Sequence, residues 1–251
     1  MHASQTRVTT PLRIGRVALG PRPCLIAAGG EAELDGLIAA ATADVIELRA
    51  DLFSAPSPEV IVAALTRLRS TGRPLLLTVR AAAEGGRAMP EPVRAAIYLA
   101  GLPLVDAIDI ELSSTALRDD LLPRARATGT TALLSFHDFQ ATPSAAILHD
   151  IVTRAGGCGA DITKIATTAN TMDDVRTLLA LTLECRDRGV ATLAMGLIGS
   201  LSRLLFPAAG SLLTYASVGA ATAPGQLPVA ELAPLLRRFY PPGDVDPDAP
   251  G

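Results

Sequence analysis

Eight short apolar segments alternate along the chain with segments of helical periodicity. The apolar runs are rich in β-branched residues and occupy residues 24–28, 45–48, 75–79, 107–110, 131–135, 162–166, 192–195 and 212–216. The segments between them carry apolar residues at spacings of three and four, at residues 32–41, 58–70, 90–101, 116–128, 144–155, 172–188 and 229–239. Runs that are apolar on both faces are typical of parallel strands covered by helices. The order of segments therefore predicts consecutive βα units.

Eight such units in 251 residues favour a closed (β/α)8 TIM barrel, an α/β fold that takes about 250 residues as one domain. A doubly wound open sheet is the alternative, but it usually has a G-x-G-x-x-G turn after its first strand. The turn here, at residues 27–31, reads AAGGE. Residues 12–19 predict an N-terminal β-hairpin that closes the barrel bottom. We expect one domain over residues 1–251, with its core at about 23–240 and a disordered Pro/Gly/Asp-rich tail at 241–251.

The composition narrows the class of partner. The net charge is −3 and aromatic residues make up 3% of the chain, without tryptophan, which argues against a nucleic-acid partner. No apolar run approaches the ~20 residues that span a bilayer, and the polar N-terminus lacks the apolar stretch of a signal peptide. The three cysteines form no CxxC pair, so we interpret them as packing residues rather than disulfide or zinc ligands. These features predict a cytoplasmic protein without a membrane partner.

Lys164 is the only lysine among the 22 basic residues; all the others are arginine. An amine can lose its proton and attack a carbonyl, whereas a guanidinium effectively never does. The segment around it, ITKIA at 162–166, is a predicted buried strand, where an ammonium is costly unless paired and desolvation favours the neutral nucleophile. We predict that Lys164 forms a Schiff base. The alternative is an interior lysine paired with a carboxylate such as Glu47 or Glu111.

Polar residues follow most of the predicted strands, at the end of the barrel where active sites lie. His137 follows the strand next to that of Lys164 and titrates near neutrality, which suits the proton transfers of imine chemistry. Glu84 could orient its ring. Taken alone, His137 is equally compatible with a structural role, and the charged run at 47–51 with a structural ion-pair network. The other histidines, His2 and His149, are expected at the surface, which gives little support to a metal hydrolase.

Seven stretches resemble the type I 3-dehydroquinate dehydratase family, and they occur in the family's order. They are residues 43–51, 78–80 with 84–86, 109–111, 135–139 with 142–143, 160–166, 195–196 with 202–203, and 210–211 with 223–226. The resemblance implies a (β/α)8 barrel, usually a homodimer, that dehydrates 3-dehydroquinate to 3-dehydroshikimate in the shikimate pathway of aromatic amino acid biosynthesis. It also implies that no metal or cofactor takes part.

The resemblance carries roles over to individual residues. Lys164 would form an imine with the C3 ketone and acidify the C2 proton. His137 would move protons during imine formation and hydrolysis and protonate the departing C1 hydroxyl, with Glu84 orienting its ring. Arg203 matches the arginine that clamps the substrate carboxylate. The remaining matches would hold the ring hydroxyls and the carboxylate, and they are Glu47, Arg49, Arg80, Thr222 and Gln226.

The chain also departs from the family's pattern. Ala28 stands where the family often has a serine at the end of the first strand, so one hydroxyl contact would be missing. Thr222 replaces a common serine, and Tyr215 and Ala209 stand where phenylalanines are common. Residues 167–168 are threonines in place of an apolar pair. These departures bear on pocket shape more than on chemistry.

Two other functions are compatible with the sequence. A class I aldolase that acts on a phosphorylated ketose would also use a lysine, and the segment GLIGS at 196–200 resembles a phosphate-binding turn. Arg203 and Gln226 suit a carboxylate and hydroxyls better. A non-enzymatic binding protein would retain the barrel without the chemistry, which the presence of both His137 and Lys164 disfavours.

Overall fold

A computed structural model describes residues 12–241 of the chain. Strands β1 (Arg13–Ile14) and β2 (Val17–Ala18) form an antiparallel hairpin. Eight longer strands follow: β3 (Cys24–Gly29), β4 (Val45–Arg49), β5 (Leu75–Thr78), β6 (Ala107–Glu111), β7 (Thr131–Asp138), β8 (Ile162–Thr168), β9 (Val190–Met195) and β10 (Leu213–Ser217). The helices are α1 (Leu34–Ala39), α2 (Pro58–Arg69), α3 (Glu91–Gly101), α4 (Thr115–Thr128), α5 (Ala145–Cys158), α6 (Met172–Glu184), α7 (Ser202–Leu205) and α8 (Val229–Phe239).

The eight longer strands form one parallel sheet in the order β10-β3-β4-β5-β6-β7-β8-β9. The two outer strands of this order meet at a seam, where the amide of Leu212 donates to the carbonyl of Val190 at 2.9 Å. The predicted (β/α)8 barrel and its N-terminal hairpin are confirmed, and the open-sheet alternative is wrong. That one domain spans residues 1–251 stays a prediction. The predicted disordered tail lies, beyond residue 241, outside the described residues.

Two hydrophobic layers hold the barrel together. The larger lies between the strands and the surrounding helices. The smaller fills the barrel interior at its lower end, where Ile26, Val45, Leu76 and Leu133 are completely buried. Ile14 of the hairpin is completely buried in the same cluster, so the hairpin closes the end opposite the strand carboxyl termini. Within residues 12–241 no helix is long and apolar enough to cross a membrane.

An aspartate precedes three alternate strands of the barrel and binds the strand before it. The carboxylate of Asp44 accepts from the amide of Leu25, that of Asp106 from Leu75, and that of Asp161 from Ala132, at 2.8–2.9 Å. The amide of each aspartate in turn donates to the carbonyl of the same partner residue at 2.9–3.0 Å. Each pairing extends a β-ladder by one residue toward the bottom of the barrel.

Candidate active site

A cleft opens at the carboxyl ends of the strands and contains every residue that the sequence assigned to a site. Period-two alternation turns the side chains on strands inward, since successive residues of a strand face opposite sides, and the others lie in the segments after the strands. The assigned residues that line the cleft are Glu47, Arg49, Arg80, Glu84, His137, Lys164, Arg203, Thr222 and Gln226. Phe139, Ala166, Leu193, Met195, Tyr215 and Ala223 complete its walls.

Lys164 lies in the middle of β8, with its side chain 7% exposed. Its Nζ donates to Asp109 Oδ2 at 2.8 Å, and Glu47 Oε1 lies 3.8 Å away. Of the two carboxylates named as alternative partners, Glu47 contacts the amine, whereas Glu111 makes no ion pair with it and binds two arginines instead. The amine is therefore buried, compensated by carboxylates and open to the cleft, which suits a nucleophile that is released from its ion pair when a substrate arrives.

His137 and Glu84 form a buried pair in one wall of the cleft. His137 Nδ1 lies 3.0 Å from Glu84 Oε2, and the same oxygen accepts the backbone amide of His137 at 2.9 Å. The other oxygen of Glu84 accepts from the hydroxyl of Ser113 at 2.7 Å. The contact to Nδ1 leaves Nε2 of the ring free to exchange protons with a substrate. Glu84 is thus placed as the sequence predicted, beside the histidine.

Two glycines after Glu84 allow the loop to bring it there. Gly85 has φ +85°, a conformation that side chains other than glycine rarely adopt, and a Cβ at this position would lie 2.4 Å from the ring of Phe139. A Cβ on Gly86 would lie 2.0 Å from the carbonyl oxygen of Arg80. The sequence Glu84-Gly85-Gly86 is therefore a steric requirement of the turn that presents the carboxylate to His137.

Arg80 connects the carboxylates at the base of the cleft. Its guanidinium donates to Glu111 at 2.9 Å, to Asp109 at 2.9 Å and to Ser135 at 2.7 Å. Burial alone would raise the pKa of Asp109, but the charges of Arg80 and Lys164 hold it well below its usual range. Asp109 is consequently a permanent counter-charge to Lys164 and a poor proton acceptor.

The charged run on β4 divides between structure and cleft. Arg49 makes a two-point contact with Asp51, at 2.9 and 2.7 Å, and Glu47 accepts from the hydroxyl of Thr78 at 2.7 Å. The interpretation of this run as a structural ion-pair network therefore holds for Arg49 and Asp51, which pair with each other. Arg49 and Glu47 also line the cleft, so a binding role for them stays a prediction.

Arg203 is a buried cation without a carboxylate partner among the described residues. It is 2% exposed and its guanidinium donates to the carbonyls of Gly225 and Pro224, at 3.0 and 3.3 Å. Burial lowers its pKa to about 10. Thr222 lies in the same loop, where both its amide and its hydroxyl donate to the side-chain oxygen of Gln226, at 2.7 and 2.9 Å. An uncompensated guanidinium in a cleft is suited to bind an anion.

Sequence reasoning gave no role to several residues of the site. A role for Asp109 could have been predicted, because the alternation in residues 107–111 places the carboxylates of Asp109 and Glu111 together on the inner face of β6. Ser113 had none, since a serine after a strand is common in loops. Tyr215 was noted only as a departure from the family, yet its ring lies 4.1 Å from Lys164 Nζ. His149 lies at the surface, as predicted, with its side chain 37% exposed and in contact with Glu184.

The fold and the cleft together define a class of protein: a (β/α)8-barrel enzyme with a buried amine suited to Schiff-base chemistry. The comparison with family models identifies it further. The chain belongs to the type I 3-dehydroquinase family, whose model matches residues 28–240.

Relatives and solved structures agree with that family. A 3-dehydroquinate dehydratase of Methanococcoides burtonii is 38% identical over 226 residues, which cover 88% of this chain and 96% of the relative. The enzyme of the same name from Aquifex aeolicus is 36% identical over 198 residues, 79% of this chain and 89% of the relative.

Two crystal structures extend the agreement to the backbone. The 3-dehydroquinate dehydratase from Geobacillus kaustophilus has a TM-score of 0.82 at 28% identity and covers 92% of this chain and 98% of its own. The type I enzyme from Clostridium difficile, solved with covalently modified comenic acid, has a TM-score of 0.81 at 29% identity and covers 91% of this chain and 97% of its own.

Proposed function

We propose that this protein dehydrates 3-dehydroquinate to 3-dehydroshikimate through an imine on Lys164, as a hydro-lyase of the shikimate pathway. One observation carries the proposal: the buried amine of Lys164 shares a cleft with the His137–Glu84 pair and with the unpaired guanidinium of Arg203. These groups match the ketone, the transferable protons and the carboxylate of this substrate.

Imine formation requires a neutral amine and a proton carrier. Burial lowers the pKa of His137 well below its ordinary value, and the charges of Arg80 and Lys164 act in the same direction. The imidazole is therefore neutral at neutral pH and accepts the proton that Lys164 releases as its nitrogen attacks the C3 carbonyl. The resulting carbinolamine hydroxyl leaves as water with a proton from His137, which completes the iminium ion.

The iminium ion then draws electrons away from C2, so that the C2 proton departs and the C1 hydroxyl is expelled. The neutral imidazole of His137 accepts the C2 proton and returns it to this hydroxyl, which leaves as water. A second water hydrolyses the imine and regenerates Lys164. Imine formation releases one water and hydrolysis consumes one, so the net change is loss of the water formed from the C1 hydroxyl and the C2 proton.

The remaining polar groups orient the substrate. Arg203 binds the carboxylate, because a planar guanidinium forms two parallel hydrogen bonds with it. Gln226 uses its side-chain oxygen for Thr222, which leaves its amide nitrogen as a donor. Glu47, Arg49, Arg80 and the hydroxyl of Thr222 hold the ring hydroxyls and the carboxylate.

The aldolase alternative is disfavoured by the loop that would hold a phosphate. The amide of Gly196 donates to the carbonyl of Pro224, and that of Ser200 to the carbonyl of Leu197. A Cβ on Gly199 would meet the backbone of Ala194 at 2.6 Å, so this glycine serves close packing. Amides engaged within the protein cannot form a phosphate cradle.

Borohydride reduction in the presence of 3-dehydroquinate, followed by peptide mass spectrometry, tests the proposal. Because the chain contains one lysine, a stable adduct on the peptide with Lys164 identifies the nucleophile directly. We expect one adduct in the unmodified protein and none in Lys164→Ala, which also loses turnover by at least about 10³-fold, as expected when a covalent nucleophile is removed. Turnover of 3-dehydroquinate without any trapped adduct contradicts the imine mechanism, and turnover of a phosphorylated ketose instead contradicts the substrate.

We also propose that the protein acts as a cytoplasmic homodimer. Leu197, Leu201 and Leu205 are 89%, 60% and 41% exposed and follow one another at four-residue spacing, which offers an apolar face for a second copy. Sedimentation analysis of the unmodified protein and of Leu201→Glu tests the dimer. A monomer in the unmodified protein contradicts it.

A further inference from the structure

Tyr215 differs from the other tyrosines in the bonding of its hydroxyl. All three tyrosines of the chain lie within the described residues. The hydroxyl of Tyr98 donates to the carbonyl of Asp109 and accepts the amide of Val79, and that of Tyr240 donates to the carbonyl of Leu204 at 2.6 Å. The hydroxyl of Tyr215 is buried and has no hydrogen-bond partner among residues 12–241.

An unpaired buried hydroxyl is unusual because it gives up hydration without compensation. Its desolvation costs more than a formed hydrogen bond contributes, and native proteins contain few such groups. A buried tyrosine hydroxyl usually finds a partner. Phenylalanine would fill the same volume without this cost, so packing alone does not account for the oxygen.

The position of Tyr215 relates its hydroxyl to the reaction. It projects from β10 into the barrel, is 5% exposed, and lines the cleft with Arg203, Thr222 and Gln226. Its ring lies 4.1 Å from Lys164 Nζ, a distance at which a cation is attracted to the face of an aromatic ring. The phenol is therefore beside the nitrogen to which the substrate becomes attached.

Burial also determines which form of the phenol is present. It raises the pKa of Tyr215 well above its ordinary value, and the negative charge of Glu47 acts in the same direction. The hydroxyl stays protonated, so it can both donate and accept a hydrogen bond. A substrate hydroxyl can likewise accept a hydrogen bond from the phenol or donate one to it.

We propose that Tyr215 is a specificity-determining residue whose hydroxyl binds a ring hydroxyl of the substrate held on Lys164. This inference rests on the proposed function. The neighbouring strand supports it: Ala28 of β3, which lacks the hydroxyl that the family resemblance leads one to expect, pairs with Ser217, two residues along β10 from Tyr215. Tyr215 and Ala28 belong to the same buried cluster of the barrel interior, so the phenol adds a hydroxyl to the surroundings of the position that lacks one.

The Tyr215→Phe variant removes this oxygen and keeps the ring over Lys164. We expect KM for 3-dehydroquinate to rise about fivefold to tenfold, the effect of one neutral hydrogen bond, with kcat within about twofold of the unmodified protein. We expect the thermal midpoint to stay equal or to rise, because an unpaired buried hydroxyl is lost. The matched control Tyr98→Phe removes a satisfied hydroxyl and should lower the thermal midpoint.

Analogues of 3-dehydroquinate that lack the C4 or the C5 hydroxyl test the partner. One of them should bind the unmodified protein more weakly by about the same factor, and Tyr215→Phe should cost nothing further with that analogue. An unchanged KM in Tyr215→Phe, or an equal effect of the substitution with both analogues and the full substrate, overturns the inference. If the unmodified protein does not turn over 3-dehydroquinate, the proposed function and this inference fail together. If it turns over the substrate but Tyr215→Phe leaves KM unchanged, this inference alone fails.

Discussion

Burial moves the pKa values of the Glu84–His137 pair in opposite directions. The pKa of Glu84 is raised from its ordinary 4.5 to about 7 by burial, against the opposing effects of the Ser113 hydroxyl and the charge of Arg80. That of His137 is lowered by burial and by nearby positive charge. The pair therefore contains a neutral imidazole beside a carboxyl group that titrates near neutral pH.

The activity should follow the ionisation of Glu84. As the pH falls through about 7, the carboxylate takes up a proton and no longer supports the imidazolium that forms during catalysis, so we expect kcat to fall. Glu84→Gln should lower kcat about 10- to 100-fold, as loss of an orienting partner does, and should flatten this limb of the profile. Profiles of kcat against pH for both proteins, with the surface variant Glu231→Gln as a control, check this. An unchanged limb in Glu84→Gln would assign it to another group.

Glu84→Gln, which should lower kcat, should raise the stability of the folded protein. The folded chain holds the Glu84 proton up to about pH 7, whereas an ordinary glutamate releases it near 4.5. The unfolded state therefore binds fewer protons in this interval, and the raised pKa reduces stability as pH rises through it. Glu84→Gln should raise the thermal midpoint above pH 7 and leave it nearly unchanged below 4.5. Calorimetry at both pH values measures the difference.

The sequence predicted which residues face the cleft and that Glu84 accompanies His137, but it did not predict the main partner of Lys164. The inward alternation of β4, β6 and β8 is a local property, so Glu47 and Lys164 could be placed from it. The pairing of Lys164 with Asp109 rather than Glu111 depends on how far each side chain reaches across the one intervening strand, β7. No local pattern contains that information.

At the scale of elements, the aspartates before β4, β6 and β8 are a repeated device. Asp44, Asp106 and Asp161 each bind both the amide and the carbonyl of a single residue on the preceding strand. The ladder therefore begins one residue before the regular strand, at the bottom of the barrel, where unpaired backbone groups would otherwise meet water.

Asp106→Ala should measure the contribution of one such carboxylate. Loss of a charge-assisted hydrogen bond at the start of β5 should lower the free energy of unfolding by about 1–2 kcal/mol. The kcat should be unaffected, because the carboxylate lies at the end opposite the cleft. Asp119→Ala, on the exposed face of α4, is the control and should change stability by less than about 0.5 kcal/mol. Equal effects of the two substitutions would show that the strand-start contact contributes nothing of its own.

Element boundaries show where periodicity stops being informative. All eight barrel strands lie where the apolar runs predicted them, but β7 continues to Asp138 and β8 to Thr168. The predicted runs ended earlier because the last residues of both strands are polar and resemble a loop. The helix predicted over 172–188 ends at Glu184 and is followed by a 3-10 turn. The four-residue helix α7 was not predicted, since one turn is too short to show a period.

At the scale of the whole molecule, the barrel interior is divided by polarity. The upper half holds the charged groups of the cleft, and the lower half is apolar, with Ile14 of the hairpin completely buried in it. Stability and chemistry are thus located at opposite ends of one barrel.

Ile14→Ala should lower stability without lowering catalytic activity. Removing this side chain leaves a cavity at the barrel bottom and should lower the free energy of unfolding by about 2–4 kcal/mol. The kcat at 25 °C should stay within about twofold of the unmodified protein, since the hairpin lies at the end of the barrel opposite the cleft. Denaturant unfolding and steady-state assays measure both quantities. Val17→Ala, on the half-buried strand of the same hairpin, should cost less, and a large fall in kcat for Ile14→Ala would contradict the division.

The amine of Lys164 belongs to a strand that is paired on both sides, with Ser135 of β7 and Ala191 of β9. The His137–Glu84 pair, Arg203 and the Thr222–Gln226 loop come from other βα units. The molecule is therefore modular: the nitrogen of Lys164 is anchored in the rigid wall, and the groups to which we assign substrate binding are carried by separately replaceable segments. An engineer who wished to redirect this scaffold toward another carbonyl compound would exchange the segments after β9 and β10 and leave the anchored nitrogen untouched.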